Sequence, residues 1–300
     1  MFTKIFRFTS MLERKYNLSH SWIGIKITPF YRRILQLVTN YVLVKPDDKT
    51  VLAIAQQNDF LARNSERINA VADMLADEKS KKTYLGMIRF RQTCQKKDFP
   101  NSFCEKLPYF IKELKLDKDE VFIDCGAYTG DTINDFLKYC PEYKQIVAFE
   151  PAPKIFKKLE EKYSNNHKIT LINAGVYDKD GVVNFSDVGI GIDGKIFDAD
   201  IIEENKELTS IQVNTIDNLN LKKVTFIKMD VEGAELNALK GAEKTILKDK
   251  PKLAICIYHS NEDMVQIAEY INNLMPEYNL YVKQHNFFPS AAETVLYALP

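Results

Sequence analysis

From about residue 119 onward, short apolar runs alternate with stretches whose apolar residues recur every three or four positions. The runs VFIDC at 121–125, QIVAFE at 145–150, KITLINA at 168–174, VTFIKMD at 224–230 and KLAICIY at 252–258 predict buried strands. Helical periodicity over 130–140, 152–163, 234–247 and 261–275 predicts the helices between them. This alternation is the pattern of βαβ units and a parallel sheet, and YNLYVKQHN and ETVLYAL predict two closing strands. Upstream, residues 50–98 place apolar side chains at helical spacing with no glycine before Gly86, so this part reads as helical. The stretch KKDFPNSFCEKLPYF holds two prolines and interrupts that pattern near residues 97–108. The expected organisation is a helical accessory region over 1–100 with a basic arm, then an α/β domain over 101–300.

Composition narrows the class. Lys+Arg and Asp+Glu are equal at 41 each, so no overall field draws the molecule to nucleic acid. The charge is uneven, because residues 1–50 carry nine basic side chains against three acidic ones. Five cysteines without C-x-x-C spacing fit neither a disulfide framework nor a zinc knuckle, and a reducing, cytoplasmic setting is expected. Lys4, Arg7, Glu13 and Arg14 interrupt the apolar residues of the opening segment, and no uncharged apolar run approaches the roughly 18 residues of a membrane span.

Open sheets bind ligands outside the carboxyl ends of their strands, so the residues just after each strand carry the functional information. The first strand runs directly into Asp124-Cys-Gly-Ala-Tyr-Thr-Gly-Asp and then a helix. Gly126 and Gly130 allow a tight turn and close backbone approach, and the amides at the helix terminus can meet a polar ligand group. Asp124 and Asp131 would repel a pyrophosphate, but they suit the ammonium and sulfonium of S-adenosylmethionine. The spacing G-x-x-x-G also misses the three-glycine dinucleotide fingerprint. Glu150, at the end of the next strand, can accept hydrogen bonds from both ribose hydroxyls of an adenosyl ligand; the plainer alternative is that it caps the helix beginning near Ala152.

The segments FIDCGAYTGDT, AFEPAPKIFKKL, INAGVYDKDGVVNF, QVNTIDNL, IKMDVEGAELNALKGA and PKLAICIYH together resemble the FkbM family of class I methyltransferases over most of 119–300. The resemblance implies a Rossmann-like fold with a seven-stranded mixed sheet whose last strand is antiparallel. It also implies S-adenosylmethionine as methyl donor and an oxygen acceptor, often on a sugar or natural product. By position it assigns the cofactor to Asp124, Gly126, Ala127, Gly130, Asp131 and Glu150. The third strand lacks the acid that the general class often uses for the adenine amine, and Asn173 stands in for it.

The fourth strand ends in Asp230, Glu232, Gly233 and Glu235. Acids in a first helical turn complement the helix dipole, which accounts for Glu235. Asp230 sits at the strand terminus, where a carboxylate can orient a hydroxyl or take its proton, and the resemblance places Asp230 and Glu232 in the catalytic loop. His259 follows the next strand and is a second candidate base, since an unperturbed imidazole titrates near pH 6.5; a hydrogen-bonding role without proton movement is the competing reading. His20, His167 and His285 read as surface or packing residues. Asp230, Glu232 and His259 could gather around a metal if their strands are adjacent, but no motif such as H-E-x-x-H supports one and none is assigned.

Residues 189–194 read GIGIDG, literally G-x-G-x-x-G, yet an acid-rich stretch follows in place of a closing βαβ unit, so they are expected to form a loop or a lid. The arm's SWIGIKITPFYRR has a weak similarity to a segment of some bacterial surface-glycan enzymes. It tilts the acceptor toward sugars and leaves peripheral contact with an anionic membrane open. The expected activity is O-methylation of a sugar or surface-glycan precursor. Homo-oligomerisation stays open, and the rivals are a nicotinamide oxidoreductase using GIGIDG and a noncatalytic scaffold for glycan assembly.

Overall fold

A computed structural model describes residues 60–93, 95–100, 109–186, 195–197, 208–286 and 291–300. The chain divides into two compact units, Met1–Gln56 and Gln57–Pro300. All of the first unit lies outside the described residues, and the expectations placed on its basic arm lie there with it.

Seven strands form the main sheet: β1 (Val121–Cys125), β2 (Gln145–Phe149), β3 (Ile169–Ile172), β8 (Phe226–Met229), β9 (Lys252–Cys256), β10 (Asn279–Gln284) and β11 (Thr294–Leu299). Their order is β10-β11-β9-β8-β1-β2-β3. β1 pairs in parallel with β2 and β8, β2 with β3, and β8 with β9. β11 runs antiparallel between β9 and β10. All seven strands fall within runs that the hydrophobic pattern predicts.

The strands are apolar on both faces because helices cover both. Side chains alternate between two cores. Ile123, Val147, Phe149, Ile227, Met229, Leu253 and Ile255 face one, and Phe122, Ile146, Ala148, Phe226, Ala254 and Cys256 face the other. Helix α3 (Asp131–Tyr139), α4 (Pro153–Tyr163) and the segment from Tyr109 to Leu114 contribute to the second core. Phe122 stacks on Phe136 and Phe226 there, with ring centroids 4.7 and 4.8 Å apart.

Helices α1 (Ser65–Met74) and α2 (Glu78–Thr93) join the first core together with α7 (Asp263–Leu274). Ile68, Val71, Tyr84, Met87 and Phe90 are buried in it, and Arg67 grips Glu269 of α7 through Nε and Nη2. Packing thus makes these helices part of the sheet's own unit, whereas the hydrophobic pattern suggested a division near residue 100. Residues 101–108, at the centre of that expected junction, lie outside the described residues.

The helix expected over 234–247 is two helices, α5 (Glu235–Lys240) and α6 (Glu243–Asp249). The break is tertiary in origin. The Tyr177 carbonyl packs so closely on Gly241 that a Cβ there would lie 2.0 Å from it, and the Gly241 carbonyl accepts the Asp217 N–H. Asp217 in turn caps α6 from outside, its carboxylate accepting the N–H groups of Lys244 and Thr245 and the Thr245 hydroxyl.

A second sheet was not read from the pattern. Strands β4 (Gly175–Val176), β5 (Gly181–Ser186), β6 (Lys195–Phe197) and β7 (Leu208–Asn214) form it in the order β4-β7-β5-β6. Val183, Ile211 and Val213 pack with Ala234, so this sheet lies against the turn after β8. GIGIDG falls outside the described residues. Among the described residues no helix is long and apolar enough to cross a membrane.

Candidate active site

β1 lies between β2 and β8, and β9 follows β8, so four strand ends stand side by side. At the end of β1 the chain turns through Gly126, at φ 82°, directly against β8: a Cβ on Gly126 would lie 1.9 Å from the Asp230 carbonyl oxygen. Gly126 and Ala127 both donate to the Phe149 carbonyl, at 3.1 and 2.8 Å, so they tie β1 to β2 and do not point at a ligand. Gly130 precedes α3 under the Tyr163 ring, and Asp131 opens that helix, exposed.

Asp124 differs from expectation. It is 0% exposed, and Lys228, its register partner on β8, places Nζ 3.2 Å from its Oδ1. Lys228 Nζ also donates to the Gly126 carbonyl at 2.9 Å and lies 5.1 Å from the centroid of the Tyr109 ring. Burial opposes its charge, but Asp124 and Asp230 outweigh burial and hold its pKa above the ordinary lysine value. Asp124 is thus the ion-pair partner of Lys228, and Asp131 and Glu150 are the other carboxylates at the ends of β1 and β2.

Glu150 is 7% exposed and accepts the Tyr128 N–H through Oε2 and the Ala152 N–H through Oε1. Ala152 is the N-cap of α4, so the capping role is present. Two bonds leave a carboxylate about two further lone-pair sites, which suits a ribose diol as well. Burial raises the Glu150 pKa to about 7, against the two backbone donors. Asn173 supports this loop by donating to the carbonyls of Glu150 and Pro151, at 2.8 and 3.2 Å.

The turns after β8 and β9 bring Asp230, Glu232 and His259 together. His259 Nε2 is 3.4 Å from Asp230 Oδ1 and 3.3 Å from Glu232 Oε2, and Nδ1 is 3.0 Å from Glu235 Oε1. Glu235 is 0% exposed and accepts the N–H groups of Val231 and Gly233, so it shapes the turn as well as opening α5. Glu232 takes φ 56°, a left-handed conformation that costs on the order of 1–3 kcal/mol outside glycine. Although burial works against a charged imidazole, Glu235, Glu232 and Asp230 raise the His259 pKa to about 11. The surrounding carboxylates thus favour the charged imidazole over the free base.

Asp230 is the hub of the site. Tyr109 donates to its Oδ2 at 2.8 Å and Tyr258 to its Oδ1 at 3.0 Å. Burial would raise its pKa, but Lys228 and His259 prevail and hold it below the usual carboxylate value. The single Tyr109 proton is shared with Glu293 Oε2, 3.2 Å away, and burial lifts the Glu293 pKa to about 7. Arg91, reaching in from α2, donates to the Tyr258 carbonyl and to Asn261 Oδ1, which steadies the His259 turn. Tyr109, Lys228, Tyr258, Glu293 and Arg91 were not singled out from sequence; only Lys228, an unpaired charge inside an apolar strand, offered a signal there. Among the other histidines, His285 is buried against the Tyr297 hydroxyl as a packing residue.

Residues 124–288 match the Methyltransferase FkbM domain. The 2-O-methyltransferase NoeI of Sinorhizobium fredii (strain NBRC 101917 / NGR234) is 24% identical over 149 residues, covering 44% of this chain and 61% of NoeI. The crystal structure of Methyltransferase FkbM from Methylobacillus flagellatus KT superposes with a TM-score of 0.66 at 26% identity, covering 80% of this chain and 60% of that one. The chain therefore spans about three fifths of each of these relatives. The described strand order, the glycine turn beneath β8 and the acidic turns after β8 and β9 all fall within or beside the matched segment, and this chain belongs to the FkbM methyltransferase family.

Proposed function

We propose that this chain is an S-adenosylmethionine-dependent O-methyltransferase acting on a hydroxyl of a sugar or glycan precursor. The observation that carries this reading is the adjacency of β2, β1, β8 and β9. It sets Asp131 and Glu150 on one side of a strand-end row and Asp230, Glu232 and His259 on the other. When bound, the cofactor supplies a methyl group on a positively charged sulfur. Asp131 suits its ammonium and Glu150 its ribose hydroxyls, while the carboxylates beyond β8 orient the acceptor.

In this reading Asp230 or Glu232 would accept the O–H of the acceptor hydroxyl and so orient its oxygen. With the methyl donor bound, one of these carboxylates would take the proton that the acceptor hydroxyl loses on methylation. The hydroxyl acceptor agrees with the 2-O-methyl transfer named for NoeI. A row of carboxylates and tyrosine hydroxyls suits a polyhydroxylated acceptor.

The test is incubation with S-adenosylmethionine and nucleotide-sugar or surface-glycan pools, followed by mass spectrometry, with calorimetry of S-adenosylmethionine and NADH binding alongside. One methyl gained on a saccharide is expected. Binding of NADH in place of S-adenosylmethionine would overturn the reading.

A further inference from the structure

We infer that Asp230, Glu232 and His259 form a binding site for one divalent metal ion of the Mn2+ type, on the acceptor side of the site. Each offers one ligand atom, and the three atoms lie within 4.8 Å of one another. The imidazole Nε2 stands 3.4 Å from Asp230 Oδ1 and 3.3 Å from Glu232 Oε2. Neighbouring ligands about 2.1 Å from a shared ion are roughly 3 Å apart, so small side-chain movements bring this set to coordination distance. All three residues come from the turns after two adjacent strands, leaving the other coordination positions for water or acceptor hydroxyls.

Two further observations separate this cluster from an ordinary group of acids. The His259 side chain is only 7% exposed, yet neither ring nitrogen has a hydrogen-bond partner of adequate direction, although carboxylates face both. A coordinated ion would take the place of the Nε2 proton, so binding releases one proton while Nδ1–H stays directed at Glu235. Behind the ring, buried Glu235 faces Nδ1 at 3.0 Å and is anchored by the N–H groups of Val231 and Gly233. A carboxylate behind a histidine whose far nitrogen meets the ligand set is the arrangement that orients metal-bound imidazoles.

Two carboxylate oxygens with one imidazole nitrogen suit Mn2+ better than Ca2+, which takes oxygen throughout, or a thiolate zinc site. Asp230 and Glu232 would bring two carboxylates to the ion, and the buried Glu235 stands behind the ring. Binding does not depend on the proposed reaction. The consequence does: within the methyl-transfer reading, the ion would polarise the acceptor hydroxyl and ease loss of its proton.

The test uses the full chain stripped with EDTA and titrated with MnCl2, following free Mn2+ by electron paramagnetic resonance. One ion per chain is expected, with affinity at least about tenfold weaker in Glu232→Gln and in His259→Gln. A Mn2+-dependent rise in melting temperature should appear in the wild type and be lost in both variants. Circular dichroism of the metal-free variants checks their folding, and partly exposed Glu232 carries the result if His259→Gln does not fold. Absence of binding at millimolar Mn2+, or equal affinity in wild type and both folded variants, overturns the inference. S-adenosylmethionine calorimetry on the metal-free protein is read separately, so failure of the cofactor reading leaves this one standing, and the reverse.

Discussion

Replacing Gly126 by alanine tests whether the close approach of β1 to β8 builds the site. At φ 82° an L-residue is strained, at a cost of about 1–2 kcal/mol. The added Cβ would also sit 1.9 Å from the Asp230 carbonyl oxygen and 3.0 Å from its carbon. That obstacle is backbone, so the two strand ends must part by roughly 1 to 1.5 Å to restore ordinary contact. Overpacking of this kind costs about 1–3 kcal/mol, for a total near 2–5 kcal/mol. In a unit of this size the loss corresponds to a fall in melting temperature of about 4–20 °C. Because the displaced carbonyl belongs to Asp230, methyl transfer should fall by roughly a hundredfold, the scale associated with a 1 Å misplacement. Gly233→Ala is the control: its φ is 96°, but the nearest atom to a new Cβ is His259 Cβ at 3.7 Å, so the conformational cost acts without the clash. Thermal melts and S-adenosylmethionine calorimetry on both variants decide the matter. A Gly126→Ala protein melting within about 2 °C of wild type, or no more affected than Gly233→Ala, would refute the reasoning.

Lys228→Met leaves Asp124 fully buried without its counter-charge and should destabilise by about 3–5 kcal/mol in urea denaturation, with much of the loss regained in the Lys228→Met/Asp124→Leu double variant. For Glu150 the folded pKa of about 7 lies above the ordinary 4.5, so its share of stability is complete below pH 4.5 and lost as pH rises through 7. That share is at most about 3 kcal/mol, read as a smaller fall in melting temperature between pH 5 and 8 for ligand-free Glu150→Gln than for wild type. Arg91→Lys should loosen the Tyr258–Asn261 turn, slowing methyl transfer about tenfold while S-adenosylmethionine affinity, measured by calorimetry, stays unchanged. An equal fold-loss in methyl-transfer rate and in S-adenosylmethionine affinity would place Arg91 in overall stability instead of acceptor positioning.

Local patterning was sufficient for the main sheet because its central strands bury both faces and its edge strands β3 and β10 are still mostly apolar. An apolar run such as VFIDC or KLAICIY is legible without knowing its neighbours. The positions of Asp230, Glu232 and His259 were legible for a related reason: residues just past a strand's carboxyl end have little choice but to line the ligand edge. What each side chain does there was not written locally. Asp124 looks like a ligand carboxylate until β8 sets Lys228 beside it, and His259 looks like a base until Glu232, Glu235 and Asp230 surround it. The α5–α6 break arises from the Tyr177 carbonyl pressing on Gly241, a contact between segments more than sixty residues apart. Periodicity along the chain reports which face of an element is buried, whereas charge state and partner choice depend on groups that only the folded sheet brings within a few ångströms.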